Sequence, residues 1–148
     1  MLSSLRQRFV RAAFLFAIVP AIAACDDDPI EPEEELPAEM RLTVGSQTVT
    51  VSDAGTVTGG PIALGIGAAT LTAVFLDADG QVMSIPSDEL ELRVVPANAG
   101  IVTFTRSTAF AGTLTGITAG STSISVSLYH FEEEHNDFGE FPVPVTVQ

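Results

Sequence analysis

Residues 123–128 read Ser-Ile-Ser-Val-Ser-Leu, which is a strict alternation of hydroxyl and branched apolar side chains. Since successive side chains of a β-strand point to opposite faces, this period of two predicts a strand with one buried and one solvated face. Leu90–Val94 and Val102–Thr105 alternate in the same way. Leu71–Leu76 carries apolar residues on both faces and is therefore expected to be a central strand.

Two further runs at the ends of this region are also predicted to be strands. Met40–Val44 and Gln47–Val51 flank Gly45-Ser46 and form either a hairpin or one strand that crosses between two sheets. The last run, residues 141–147, reads Phe-Pro-Val-Pro-Val-Thr-Val. Backbone amides point alternately to the two sides of a strand, so its two prolines remove hydrogen-bond donors from the same side. The first half of this run is therefore predicted to lie at a sheet edge.

Residues 40–148 thus hold at least seven predicted strands, separated by turn residues. Many short strands with regular turn signals favour an all-β sandwich over a barrel or a propeller. The segment is long enough to bury one hydrophobic core without disulfides. We therefore predict a single β-sandwich domain over residues 40–148.

A family resemblance supports this fold. The run from Phe110 to Val126 reads Phe-Ala-Gly-Thr-Leu-Thr-Gly-Ile-Thr-Ala-Gly-Ser-Thr-Ser-Ile-Ser-Val and resembles the signature of bacterial Ig-like group 2 (BIG2) domains. The resemblance extends over residues 69–148 and implies an Ig-like β-sandwich. It also implies that Gly116 and Gly120 lie at tight turns, where glycine adopts a positive φ without strain.

The chain departs from this family pattern in two respects. The tryptophan that the family often carries in its third strand is missing, so Leu92 or Val94 is expected to fill its space. The family often occurs as tandem copies in adhesins, whereas this chain has one copy with extra strands before it. The resemblance therefore bears on the fold more than on any adhesive role.

Residues 1–24 are predicted to be a bacterial lipoprotein signal peptide. Three arginines in the first eleven residues precede an apolar run that Pro20 interrupts. This run has about thirteen residues where about twenty are needed to cross a bilayer, which favours a cleaved signal over a transmembrane anchor. Ile22-Ala23-Ala24-Cys25 resembles a lipobox, the alternative being a chance cysteine after an ordinary signal. Cys25 is the only cysteine of the chain and is predicted to carry the lipid.

The segment behind that cysteine is predicted to be an extended tether, so that residues 25–39 link the lipid to the domain. Asp26–Glu39 contains eight acids, three prolines and no basic residue. Charge repulsion and proline stiffness keep such a segment extended, with a reach of about 40 Å. An acidic calcium site is the alternative, but nothing in the segment would hold the ligands in place.

The charge balance restricts the partners. Removal of residues 1–24 leaves three arginines against nineteen acids, a formal charge of −16. Such a surface repels phosphate backbones, so nucleic acid is excluded as a partner. The same charge disfavours adsorption to anionic lipids, so membrane association is expected to depend on the lipid anchor.

One segment carries the residue types of a metal site. His130 and His135 are the only histidines of the chain; three glutamates lie between them, and Asp137 follows two residues after His135. Imidazole and carboxylate groups are ligands of zinc, copper and nickel. If the segment is a loop between two strands, the histidines converge across its base, with Asp137 or Glu134 completing a site for a divalent transition metal. The alternative is a solvated hairpin loop that binds no cofactor.

Other motifs give no support for catalysis. Asp77-Ala78-Asp79-Gly80 lacks the length of a calcium loop before its glycine and is predicted to be a turn. The chain has no G-x-S-x-G motif, and its one cysteine is assigned to the lipid. We therefore predict that the protein is not an enzyme.

These features predict a non-catalytic, lipid-anchored Ig-like module of the bacterial cell envelope with a binding or structural role. Its expected partners are the membrane, through the lipid, and an envelope protein or polysaccharide. The domain itself is expected to be a monomer. The alternative function is an envelope metal-binding lipoprotein that uses the loop between His130 and His135.

Overall fold

The computed structural model describes residues 35–148, which form ten β-strands in two sheets and contain no helix. One sheet has six strands in the order β3-β2-β1-β5-β8-β7, and the other has four in the order β4-β10-β9-β6. The predicted all-β sandwich is confirmed. The strands are β1 (Glu39–Val44), β2 (Gln47–Ser52), β3 (Val57–Thr58), β4 (Ile62–Leu64), β5 (Gly67–Leu76), β6 (Leu90–Pro96), β7 (Val102–Thr108), β8 (Ala111–Gly116), β9 (Gly120–His130) and β10 (His135–Val147).

The hydrophobic core contains the inward faces of both sheets. Ile124, Val126 and Leu128 of β9 are fully buried, as their alternation with serine predicts. Leu92 and Val94 of β6 are buried as well and belong to the same core cluster. The larger fully buried side chains of the six-stranded sheet include Met40, Leu42, Leu71, Phe75 and Leu114.

Strand β5 is central, as predicted, but its outer face is covered only at its end. It lies between β1 and β8, and Leu71 and Phe75 point into the core. Val74 points to the other side and is 40% exposed. The expectation that both faces of Leu71–Leu76 are buried is therefore wrong at Val74, because a two-layer sandwich covers each sheet on one side only. It holds at Leu76, which is 2% exposed and forms a β-bridge with Val82.

The first two strands form a hairpin, which resolves the two interpretations of Gly45-Ser46. β1 and β2 are antiparallel neighbours, with Val44 opposite Gln47. Gly45 has a φ of 60° at the first position of the two-residue loop, where glycine is favoured. The chain changes sheets later, between β3 and β4.

The segment that changes sheets is held by one side chain of β2. Gln47 donates hydrogen bonds from Nε2 to the carbonyl oxygens of Gly59 and Pro61, at 3.1 and 2.6 Å. Its Oε1 accepts a hydrogen bond from the backbone amide of Ala63 at 2.8 Å. A single amide side chain thus binds the connection after β3 through its donors and the following strand β4 through its acceptor.

The proline-rich last strand lies where its prolines allow. β10 pairs with β9 along its length, whereas on its other side it pairs with β4 only over Val145–Val147. Pro142 and Pro144 therefore lie in the part of β10 that has one neighbour. The predicted edge position of the first half of this strand is confirmed.

Gly116 and Gly120 differ from each other in their backbone geometry. Gly120 has a positive φ of 156°, whereas Gly116 ends β8 without a positive φ. A Cβ on Gly116 would lie 2.5 Å from the carbonyl oxygen of Gly65 and 2.9 Å from a methyl group of Val147. The expected positive φ at Gly116 is therefore wrong, and glycine is needed there because another backbone segment approaches closely.

The chain enters the sandwich at the end that also carries the β9–β10 loop. The amide of Ala38 donates to the carbonyl of Leu76, so β1 begins beside the end of β5. Leu36 and Pro37 line a cleft together with Asp137. We call this the entry end, comprising residues 36–38, 77–80 and 131–134. The loop at Gly45-Ser46 lies at the opposite end of β1, which we call the far end.

Candidate metal centre

The alternation of β9 places His130 inside the sandwich. Ile124, Val126 and Leu128 point into the core, and His130 is the next residue of that series. Only 5% of His130 is exposed. His135 begins β10 directly opposite His130, and the centres of the two imidazole rings lie 5.7 Å apart. The two histidines thus meet across the base of the loop.

A β-bulge brings Asp137 to the same place. Asn136 is paired with Tyr129 and Phe138 with Leu128, so Asp137 is an extra residue without a partner on β9. Bulges of this kind redirect side chains at the ends of strands. The side chain of Asp137 is only 4% exposed, and it lies against both histidines.

The three side chains form one compact group. Asp137 Oδ1 lies 2.7 Å from His135 Nε2, and Asp137 Oδ2 lies 3.6 Å from His130 Nδ1. One ligand atom from each residue can be chosen so that all lie within 4.8 Å of one another. Two imidazoles and a carboxylate are a donor set for divalent transition metals.

Polar atoms of this group are buried without hydrogen bonds. His130 Nδ1 and Asp137 Oδ1 have no hydrogen-bond partner within the described residues. Oδ1 lies close enough to His135 for an ion pair, but the two groups are not aligned as a hydrogen bond. A buried polar atom without a partner costs about 1–3 kcal/mol. The unpartnered Nδ1 of His130 is therefore costly for the folded chain unless a ligand binds it.

The loop acids have different positions relative to this group. Glu133 Oε2 lies 3.4 Å from His135 Nδ1, on the opposite side of that ring from the nitrogen nearest Asp137. Glu134 is exposed, has a φ of 56° and is not part of the group. Of the four residues predicted as ligands, the structure therefore brings together His130, His135 and Asp137. Glu134 lies in the turn between β9 and β10, away from them.

The Asp77–Gly80 segment is a turn, as predicted. Asp77 Oδ1 accepts hydrogen bonds from the amides of Asp79 and Gln81, at 2.9 and 2.8 Å. Gly80 has a φ of 77° and donates its amide to the carbonyl of Asp77. This carboxylate thus stabilises the turn through the backbone.

The predicted lipidation site lies outside the described residues. Cys25 and the lipobox residues Ile22, Ala23 and Ala24 belong to residues 1–34, as does most of the tether. Within residues 35–148, the structure has no helix long and apolar enough to cross a membrane.

One polar cluster was not expected from the sequence. Glu91 of β6 forms ion pairs with Arg93 on its own strand and with Arg106 on β7, which belongs to the other sheet. Arg93 also lies over the ring of Tyr129, 3.0 Å from its centre. The two arginines are half exposed, so each ion pair contributes at most about 1 kcal/mol. The cluster joins β6 and β7, which are edge strands of different sheets. The only sequence signal for it is the spacing of Glu91 and Arg93, which puts opposite charges on one face of a strand.

No protein-family model matches the sequence, and no curated protein sequence matches it. Among solved structures, it is similar to domains 4 and 5 of the S-layer protein SbsC, with 18% sequence identity and a TM-score of 0.43. That match covers 75% of this chain and 65% of the S-layer structure.

Proposed function

We propose that the protein is a non-catalytic lipoprotein of the bacterial cell envelope, in which Cys25 carries the lipid and the β-sandwich acts as a binding or structural module. The lipobox-like segment Ile22–Cys25 supports the anchor. The resemblance of residues 69–148 to BIG2 domains supports a module of the Ig-like type. A proline-rich acidic tether of this length would hold the module away from the membrane surface.

The way in which the chain enters the sandwich is the observation that favours this proposal. The tether continues directly into β1, which pairs with β2 on one side and with β5 on the other over its whole length. Backbone hydrogen bonds to both neighbours hold such a strand, whereas an edge strand is bonded to one neighbour and leaves its other side unpaired. A domain whose first strand, β1, is paired on both sides is suited to attachment through its N-terminal segment.

The tether joins the domain at the entry end, which leaves the far end free for a partner in the proposed arrangement. Ile66 and Ile117 are exposed beside β8, which ends at the far end. Loops at the ends of β-sandwiches commonly carry binding surfaces. We therefore place the contact with an envelope protein or polysaccharide at the far end.

Cys25→Ser is expected to abolish lipid attachment. The thiol is the atom that would receive the acylglycerol group, and the chain has no second cysteine to replace it. Cells that express the full chain are labelled with a palmitate analogue, and membranes are separated from soluble protein. The wild type should be labelled and should sediment with membranes, whereas the variant should lose its label completely.

Asp26→Asn is the matched control, because it changes the next residue and removes one charge without altering the lipobox. This variant should be labelled as strongly as the wild type. A wild type without label, or a Cys25→Ser variant that keeps it, would contradict the proposed anchor.

A further inference from the structure

We infer that His130, His135 and Asp137 form a binding site for one divalent transition metal ion, with zinc as the representative. His130 would bind through Nδ1, His135 through Nε2 and Asp137 through its carboxylate. This inference goes beyond the proposed lipoprotein function, which uses none of these residues.

The buried atoms without partners point to a ligand. His130 is more than nine-tenths buried, and its Nδ1 is directed toward Asp137 but has no hydrogen-bond partner. Asp137 Oδ1 is buried and lacks one too. A histidine with a purely structural role in a core is normally hydrogen-bonded. A metal ion between the rings and the carboxylate would satisfy both atoms at once.

The spacing of the group is close to that of a metal site. Zinc binds histidine nitrogen and carboxylate oxygen at about 2.0–2.2 Å, so tetrahedral ligand atoms lie about 3.3 Å apart. The candidate ligand atoms lie within 4.8 Å of one another. His135 Nε2 already lies 2.7 Å from Asp137 Oδ1, and half of the His135 side chain is exposed, so its ring has room to adjust to an ion. Calcium is disfavoured because it requires six to eight oxygen ligands.

Glu133 is in the position of a residue that orients a metal ligand. It faces Nδ1 of His135, while Nε2 of the same ring faces Asp137. Metal-binding histidines usually donate their second ring N–H to a carboxylate, which selects the tautomer and raises the basicity of the ligand. Glu133 would therefore be a positioning residue rather than a ligand.

The surroundings favour cation binding and leave one side of the site open. Three protein ligands leave a further coordination position for water. Asp137 also lines a surface cleft of about 400 Å³, which Glu35 and Asp77 line as well. These acids, together with the strongly negative charge of the chain, raise the local concentration of cations.

Zinc titration of the full chain in mild detergent tests the site. The wild type should bind one Zn²⁺ per chain in addition to any weak background from the acidic segments. His135→Ala and Asp137→Asn should each weaken this binding at least about tenfold. Glu132→Gln removes a charge from an exposed loop position outside the group and should bind Zn²⁺ as the wild type does. The absence of a stoichiometric site, or equal binding by all four proteins, would overturn the inference.

Two further measurements separate direct coordination from attraction by charge. Imidazole ¹⁵N shifts should show zinc at Nδ1 of His130 and at Nε2 of His135. Glu133→Gln should weaken binding severalfold and leave the coordinated nitrogens unchanged, whereas Glu132→Gln should do neither. Zinc shifts that involve neither histidine, or equal effects of the two glutamate substitutions, would rule out the site with this geometry.

Discussion

Phe75→Ala is expected to lower the free energy of unfolding by about 3–5 kcal/mol. The ring of Phe75 is 2% exposed and lies on the inward face of β5. It makes edge-to-face contacts with Phe110 and Phe138, with ring centres 5.9 and 6.4 Å apart. Phe138 belongs to β10, so this contact joins the two sheets. Removal of the ring leaves a cavity that the surrounding strands cannot close.

Urea unfolding followed by circular dichroism measures this effect on residues 26–148, which contain the compact unit Glu34–Gln148. Val74→Ala is the matched control, because it shortens the adjacent side chain of the same strand on the solvent face. Its expected cost is at most about 1 kcal/mol. Similar losses for the two variants would show that the face assignment of β5 is wrong.

Gly116→Val is expected to destabilise the domain by about 1–3 kcal/mol, or more if the strands must separate. The added Cβ would meet the carbonyl oxygen of Gly65 at 2.5 Å and a methyl group of Val147 at 2.9 Å. The first contact is with backbone, which cannot move aside by changing a rotamer. Because Val147 ends β10, the contact is again between the two sheets.

Gly65→Ala is the matched control, because Gly65 belongs to the backbone segment that lies against Gly116. A Cβ on Gly65 meets no atom within 4 Å, so this substitution should change the free energy of unfolding by less than about 0.5 kcal/mol. The two variants are compared by the same urea titration. A tolerated Gly116→Val would mean that β8 and the segment at Gly65 do not approach as closely as the structure shows.

The lipid anchor and the metal site use different residues. The anchor uses Cys25, whereas the metal site uses His130, His135 and Asp137, which lie at the entry end of the sandwich. Cys25→Ser should therefore release the protein from the membrane without changing its zinc affinity. His135→Ala should weaken zinc binding and leave the protein attached to the membrane. This separation allows either proposal to fail without affecting the other.

Much of the candidate site could be predicted from residue types and their spacing. The clustering of His130 and His135 indicated a loop with converging histidines. Extension of the Ile124–Leu128 alternation by one step would also have predicted that His130 points inward. The sequence could not show that Asp137 rather than Glu134 is the third member of the group. Asp137 reaches the histidines through a bulge, whose position depends on how β9 and β10 pair.

Local chemistry explains why the strands, the Asp77 turn and the edge position of β10 were predictable. Side-chain alternation, proline without an amide donor and hydrogen bonds from turn amides to a carboxylate of the same turn act over a few residues. Three other features depend on segments that are distant in the sequence. They are the exposure of Val74, the backbone contact at Gly116 and the hydrogen bonds of the Gln47 side chain. Packing between sheets sets these features, because burial and steric contact depend on which distant residue comes to lie nearby.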